Sequence, residues 1–226
     1  MTDQVPTLDL EEFETDREAF VMKLGEAYEK WGFCGVKNHG LPDEIVANAY
    51  REFKAFFALP REVKEKYAVE GGGGARGYTG FGVETAKDSD HPDLKEFWQI
   101  GRELPDDHPF RERMPPNLWP AEVPGFKEHG YRLYTSLDDL GRRMLQAMAI
   151  YLDQDEHYFD ENVNLGNSIL RPIHYPPIKD NSTPSVRAGR HEDINLITLL
   201  IGADGPGLEI LTRKGDWLPV TTIPGA

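Results

Sequence analysis

The residues best suited to do chemistry in this 226-residue chain lie near its C-terminal end, in GRHEDINLITLL (189–200). The stretch opens on His191-Glu192-Asp193 and then turns apolar. In an extended strand, residues i and i+2 project to the same face, so His191 and Asp193 would point together and Glu192 away. One imidazole nitrogen and one carboxylate oxygen, each about 2.0–2.2 Å from a shared ion, suit a divalent first-row metal. A second histidine would complete the 2-His-1-carboxylate face that leaves three positions open, an arrangement typical of non-haem Fe(II) oxygenases. Taken alone, His-x-Asp is a short motif, and two polar residues at a solvent-facing strand edge satisfy it equally. The chain carries a second copy, His91-Pro92-Asp93. Pro92 has no N–H for a sheet ladder, which argues against a central strand there.

The elements that must position His191 and Asp193 can be read from periodicity. VPTLDL (5–10) reads as a short strand. Thr15 and Glu18 have capping-box spacing ahead of a helix carrying Phe20, Leu24, Ala27, Tyr28 and Trp31, which Gly32 stops. GFCGVKN (32–38) reads as a buried strand, and Pro42 starts a helix that ends at Leu59-Pro60, with one or two further turns over 61–67. Residues 71–124 read as irregular, with Gly71–Gly74 as a loop. Leu133, Leu137, Leu140, Met144, Met148 and Tyr151 then mark a helix of about seven turns with a core-facing stripe. NSILRPIHY (167–175), HEDINLITLL (191–200), GLEIL (207–211) and DWLPV (216–220) read as strands, the last two joined by a turn at Lys214-Gly215-Asp216. Helices first and antiparallel strands last indicate an α+β fold with a sandwich or barrel-like end.

The apolar run after His191-Glu192-Asp193, its Gly-rich turn, and GLEIL and GDWLPV resemble the iron strand and next hairpin of the isopenicillin N synthase-like family, the Fe(II)- and usually 2-oxoglutarate-dependent oxygenases. The likeness continues upstream and in order: VPTLDL, WGFCGVKNHGLP (31–42), FFALPREVKEKY (56–67), ARGYTGFGVE (75–84), DLKEFWQIG (93–101) and RPIHYPP (171–177). This resemblance implies a double-stranded β-helix (jelly-roll) core, begun by residues 166–226, behind a mainly helical region over 1–165. It implies Fe(II) held by His191, Asp193 and a second histidine. It also implies 2-oxoglutarate as cosubstrate, consumed with O2 to give succinate and CO2 while a small organic molecule is hydroxylated, desaturated or cyclised. Tyr175 resembles, by position, the tyrosine that reaches the cosubstrate or substrate carboxylate. Arg76 and Tyr78, just after the glycine run, are candidates to line the substrate mouth. His174 points away from Tyr175 along a strand, and His39 sits in a turn; neither is counted as a ligand. Asp93, Lys95 and Glu96 read as structural polar contacts.

The chain departs from the family pattern at its end. No histidine follows His191, and the Arg-x-Ser pair that anchors 2-oxoglutarate is missing. The strands that close the roll are therefore expected outside these residues. A non-catalytic jelly-roll binding or scaffold protein is the alternative from a different class. A zinc hydrolase is a third reading, but no convincing general base accompanies the pair.

Bulk properties narrow the partners. A formal net charge of −14 repels phosphate backbones and excludes nucleic acid as the expected partner. The single cysteine, Cys34, allows no internal disulfide and suits a reducing compartment. The N-terminus, MTDQVPTLDLEEFETD, lacks the basic and apolar regions of a secretory signal, so a cytoplasmic location is expected. No run of about 18 apolar residues is present to span a membrane.

Overall fold

Short strands flank the first helices, and a long helix divides the chain's middle from its C-terminal strands. The computed structural model describes residues 4–70, 75–85, 90–178, 184–202 and 207–220. Gly71–Gly74 lies outside them. The order is β1 (Thr7–Asp9), α1 (Glu12–Thr15), α2 (Arg17–Trp31), β2 (Gly35–Lys37), α3 (Asp43–Phe57), α4 (Arg61–Lys64) with a 3-10 turn at Glu65–Tyr67, β3 (Gly77–Thr79), β4 (Glu96–Gly101), α5 (Phe126–Tyr151), α6 (Asp160–Val163), β5 (Ile169–Leu170), β6 (Ile173–His174), β7 (Glu209–Leu211) and β8 (Trp217–Pro219). The chain forms two compact units, one of residues 1–41, 139–164 and 196–226, the other of 42–138 and 165–195.

In the first unit β1 and β2 pair in parallel, Thr7 opposite Gly35 and Asp9 opposite Lys37. Parallel strands need a long crossover, which α1 and α2 supply. The cap of α2 is Asp16, not Thr15: the Asp16 carboxylate accepts the N–H of Ala19, while the Thr15 hydroxyl turns back to the Glu11 carbonyl at 3.1 Å. The break after α1 falls at Thr15, which shifts the cap one residue on. Gly32, at φ 72°, ends α2 in the left-handed conformation a helix stop commonly uses. Leu8, Leu10, Phe13, Phe20, Val21 and Leu24 pack with Met144 and Ala147 of α5 as the core. β7 and β8 form the expected hairpin, closed by the Thr212 N–H donating to the Asp216 carbonyl at 2.9 Å.

In the second unit β4 is the centre. All six of its residues, EFWQIG, are buried. β3 pairs antiparallel on one side, Gly77 opposite Gln99. β5 and β6 share a single register on the other, Gly101 opposite Ile169 and Glu96 opposite His174. Pro172 falls opposite Trp98 in that register. It has no N–H to give, but its carbonyl still accepts the Trp98 N–H at 3.0 Å. The strand expected over 167–175 is therefore present as two pieces around Pro172. The Trp98 ring packs edge-on against Phe56 and Phe126, with centroids 4.8 and 5.1 Å away.

Two expectations change. The stretch 71–124 is not irregular throughout, since it holds β3 and β4. Asp93, Lys95 and Glu96 disguised β4, because three charges in four residues read as surface unless each has a buried partner. Residues 191–200 are not a strand. Strand hydrogen bonds need a neighbouring chain, and no described strand pairs with this segment. Ile197 and Leu199 pack on the first unit's core, whereas Ile194 is fully exposed at 101%.

The partners of Glu96 explain how a charge sits inside a central strand. Its carboxylate accepts Lys64 Nζ at 2.7 and 2.9 Å, His174 Nδ1 at 2.8 Å, and the Tyr78 hydroxyl. Burial on its own would raise the Glu96 pKa; the bonds from Lys64, Tyr78 and His174 outweigh it and hold the carboxyl below the ordinary glutamate value. A depressed carboxylate pKa stabilises the fold fully above the unfolded value, and that contribution is lost as pH falls through the folded one. Glu96→Gln should cost about 3–5 kcal/mol at pH 7 by stranding the buried Lys64 charge. It should also flatten the loss of stability below about pH 4.5, the ordinary carboxylate range. Urea unfolding of both proteins at pH 7 and pH 3.5 checks both effects. At Gly77, φ is +75° and an added methyl would lie 2.5 Å from the backbone oxygen of Tyr67. Gly77→Ala should therefore destabilise by about 2–4 kcal/mol, adding left-handed strain to overpacking, and lower the melting temperature by several degrees.

Candidate metal centre

The segment bearing His191 and Asp193 is tied to the residues just before β4. The Leu94 N–H donates to the Val186 carbonyl at 2.8 Å, and the Gly189 N–H donates to Asp93 Oδ1 at 2.8 Å. His191 Nδ1 lies 2.8 Å from the Gly189 carbonyl, which can only accept. Nδ1 therefore carries the proton, and in the neutral ring Nε2 keeps a lone pair for a ligand. That Nε2 is 3.8 Å from Asp193 Oδ1. Two metal bonds of about 2.0–2.2 Å can bridge such a separation. The two side chains remain about half exposed, at 58% and 49%. They converge without the strand geometry that suggested it. Their donor chemistry fits two ligands of a first-row divalent ion, and among the described residues no group of three or more His, Cys, Asp or Glu side chains forms a fuller site.

Tyr175 follows β6 and is partly buried. Burial raises its pKa, and its hydroxyl feels the charges of Lys95, Asp93, Glu84 and Arg171. Those four residues form one chain: Lys95 Nζ bonds Glu84 at 2.6 Å and Asp93 at 2.9 Å, and Arg171 bonds Glu84 at 3.2 Å. The same ion chain thus touches both Tyr175's surroundings and the Gly189 peptide. In the sequence Asp93 and Lys95 read as structural polar contacts. Only the charge of three neighbouring residues at a strand entrance hinted at more.

Arg76 and Tyr78 do not line a solvent-facing mouth. Each is 4% exposed. β3 carries Tyr78 into the core, where its hydroxyl is bound to Glu96. The Arg76 guanidinium lies so close against Gly101 that a methyl there would sit 2.0 Å from its Cζ. Arg76 Nη1 donates to the Ala75 carbonyl at 2.6 Å, while Nε and Nη2, together with the Tyr134 hydroxyl, have no hydrogen-bond partner among the described residues. Burial pulls the Arg76 pKa below the usual guanidinium value, with Tyr134 opposing. The glycine run suggested an exposed approach to Arg76 and Tyr78; that run lies outside the described residues, whereas β3 begins at Gly77, pairs with β4, and both side chains are buried. His174 is stacked on Phe57 with its Nδ1 on Glu96, and His39 accepts the Leu41 N–H through Nδ1 at 3.1 Å.

Residues 5–122 match the family model for the N-terminal region of non-haem dioxygenases, described from morphine synthesis, and residues 166–226 match that of the 2OG-Fe(II) oxygenase superfamily. The chain is 33% identical to a 2-oxoglutarate-Fe(II) type oxidoreductase, hxnY, of Emericella nidulans, over 98% of this chain and 67% of that protein. It is 32% identical to the proline hydroxylase buaE of Petromyces alliaceus, over 90% of this chain and 65% of that protein. It thus spans about two thirds of the length of these relatives. Among solved structures, a 2OG-Fe(II) oxygenase family protein of Caulobacter crescentus superposes with a TM-score of 0.89 at 47% identity, covering all of this chain and 72% of that one. Neurospora crassa T7H in complex with alpha-KG gives 0.85 at 28% identity, with the same two coverages. No helix among the described residues is long and apolar enough to cross a membrane. The two sequence segments, the upstream motifs and these likenesses agree: the chain belongs to the isopenicillin N synthase-like family of Fe(II)/2-oxoglutarate-dependent dioxygenases.

Proposed function

We propose that this chain is the part of a small-molecule 2-oxoglutarate dioxygenase that supplies His191 and Asp193 to the iron and Tyr175 to the cosubstrate. The observation that carries the reading is the His191 geometry: Nδ1 is committed to the Gly189 carbonyl, and Nε2 is turned towards Asp193. When bound, Fe(II) with 2-oxoglutarate and O2 supplies the oxidising power, with succinate and CO2 as coproducts. The protein's own part is to orient. The Gly189 carbonyl holds the imidazole in one tautomer, Asp193 adds one negative charge beside it, and Tyr175 offers a hydroxyl that a carboxylate can accept. Residues 166–226 would begin the jelly-roll core that carries these ligands, behind the mainly helical region over 1–165.

For substrate, the reading is a small organic molecule undergoing hydroxylation. Support comes from a relative named as a proline hydroxylase and from the Neurospora crassa T7H complex with alpha-KG and thymine. Arg76 remains a substrate candidate through its buried, unmatched donors rather than through exposure, while Tyr78 is the weaker one because Glu96 holds its hydroxyl. A cytoplasmic location fits the single cysteine, whose thiol is pushed up to about 11 by burial and so stays protonated.

Anaerobic addition of Fe(II) and then 2-oxoglutarate should produce the visible metal-to-ligand charge-transfer band. His191→Ala and Asp193→Ala should each abolish it. A band of full strength in either variant would place the ligands elsewhere, and a stable ligand-binding protein with no iron and no band would favour the non-catalytic binder. Tyr175→Phe should leave Fe(II) binding intact and weaken 2-oxoglutarate about tenfold or more in the same titration, as expected for losing a hydrogen bond to a charged group.

A further inference from the structure

The His-x-Asp segment is gripped from one side by a buried carboxylate that the ligand assignment does not use. Asp93 is buried, with Lys95 Nζ at 2.9 Å from Oδ2 and the Gly189 N–H on Oδ1 at 2.8 Å. Its own N–H donates to the Glu84 carbonyl at 2.9 Å, and the next residue, Leu94, donates to Val186 at 2.8 Å. Two residues further on β4 begins, fully buried and paired on both sides. Asp93 is thus fixed at its backbone and at both carboxylate oxygens, on the run-in to the fully buried central strand of its unit.

We propose that Asp93 is a positioning residue for the metal centre: its carboxylate, held by Lys95, pins residue 189 at its N–H, and the carbonyl of that same residue, across its Cα, orients His191. The relay has three steps. Asp93 Oδ1 accepts from the Gly189 N–H. That bond fixes where residue 189 sits by holding the peptide on the N-terminal side of its Cα, and the carbonyl on the other side of that Cα accepts His191 Nδ1–H. With Nδ1 spent, Nε2 is the nitrogen left for an ion. A charge-assisted bond in a dry surrounding is stronger than a neutral one, and glycine at 189 has no side chain to hold its own backbone, so the anchor must come from outside. In the His91-Pro92-Asp93 motif, both oxygens of the aspartate are thus already engaged, by Lys95 and by the Gly189 N–H.

This inference rests on His191 being a ligand, so its test needs one readout that does not. Hydrogen exchange of the Gly189 amide in the metal-free protein is that readout, and Fe(II) affinity by anaerobic titration is the second. Asp93→Ala should speed exchange at Gly189 at least tenfold and weaken Fe(II) about 10–100-fold, the usual cost of removing a partner behind a ligand. Asp93→Asn offers an amide oxygen to the Gly189 N–H without the charge, and should recover part of both effects; it carries the test if the alanine variant does not fold. Glu84→Gln removes a partner of Lys95 without touching Gly189, and should keep Fe(II) affinity within about threefold of the parent, since its effect reaches the ligand only indirectly. Unchanged exchange and unchanged affinity in a folded Asp93→Ala protein would overturn the proposal. Equal losses in Asp93→Ala and Glu84→Gln would overturn it too, by showing general destabilisation. If His191→Ala binds Fe(II) as well as the parent, the ligand assignment falls instead, while Gly189 exchange still decides whether Asp93 positions the segment.

Discussion

The second unit depends on burying charge in β4 and at its entrance. A carboxylate and an ammonium are costly to bury, and the cost is tolerated only where each finds several partners. Glu96 has Lys64, Tyr78 and His174; Lys95 has Asp93 and Glu84. The Glu96 set cannot form unless α4, β3, β4 and β6 are all in place, and the Lys95 set ties the entrance of β4 to Glu84. The Glu96 network constrains the register of β4 more tightly than an apolar side chain of similar size would, because a slip of one residue would turn the carboxylate away from Lys64, Tyr78 and His174.

The aromatic cluster supplies what the charges do not. Phe56, Phe126 and Trp98 pack edge to face, and β4 carries Trp98 into their midst. Such packing is favourable but adaptable in register, whereas the ion networks are specific. Specificity and bulk stabilisation thus come from different side chains of one strand. Pro172 fits the same economy, since it sits in the ladder yet gives up only an N–H.

The candidate metal centre inherits its order from this arrangement. His191 and Asp193 lie outside any described strand and are half exposed, so they have little packing of their own. What holds them is polar: Val186 on Leu94, Gly189 on Asp93, His191 on Gly189. A pair of ligands on an otherwise lightly packed segment can still be well placed if its backbone is tied to a rigid strand. In the first unit no such device is needed, because Leu10, Phe20, Leu24 and Met144 fill a plain apolar core around a parallel strand pair and its helical crossover.

The sequence by itself determined a good deal. Helical periodicity located α2, α3 and α5; Gly32 and Pro42 marked where helices stop and start; the Lys214-Gly215-Asp216 turn announced the β7–β8 hairpin; and ordered motifs from VPTLDL to GDWLPV carried the family. These are local signals, each written within a few residues of where it acts. Only the tertiary structure decided that EFWQIG is a buried central strand, that Arg76 and Tyr78 are interior, that 191–200 has no strand partner among the described residues, and that Asp93 holds Gly189. The physical reason is distance along the chain. Lys64 meets Glu96 across 32 residues and Asp93 meets Gly189 across 96. A charged side chain reads as surface until the partner that allows its burial is brought beside it, and no local period records that partner.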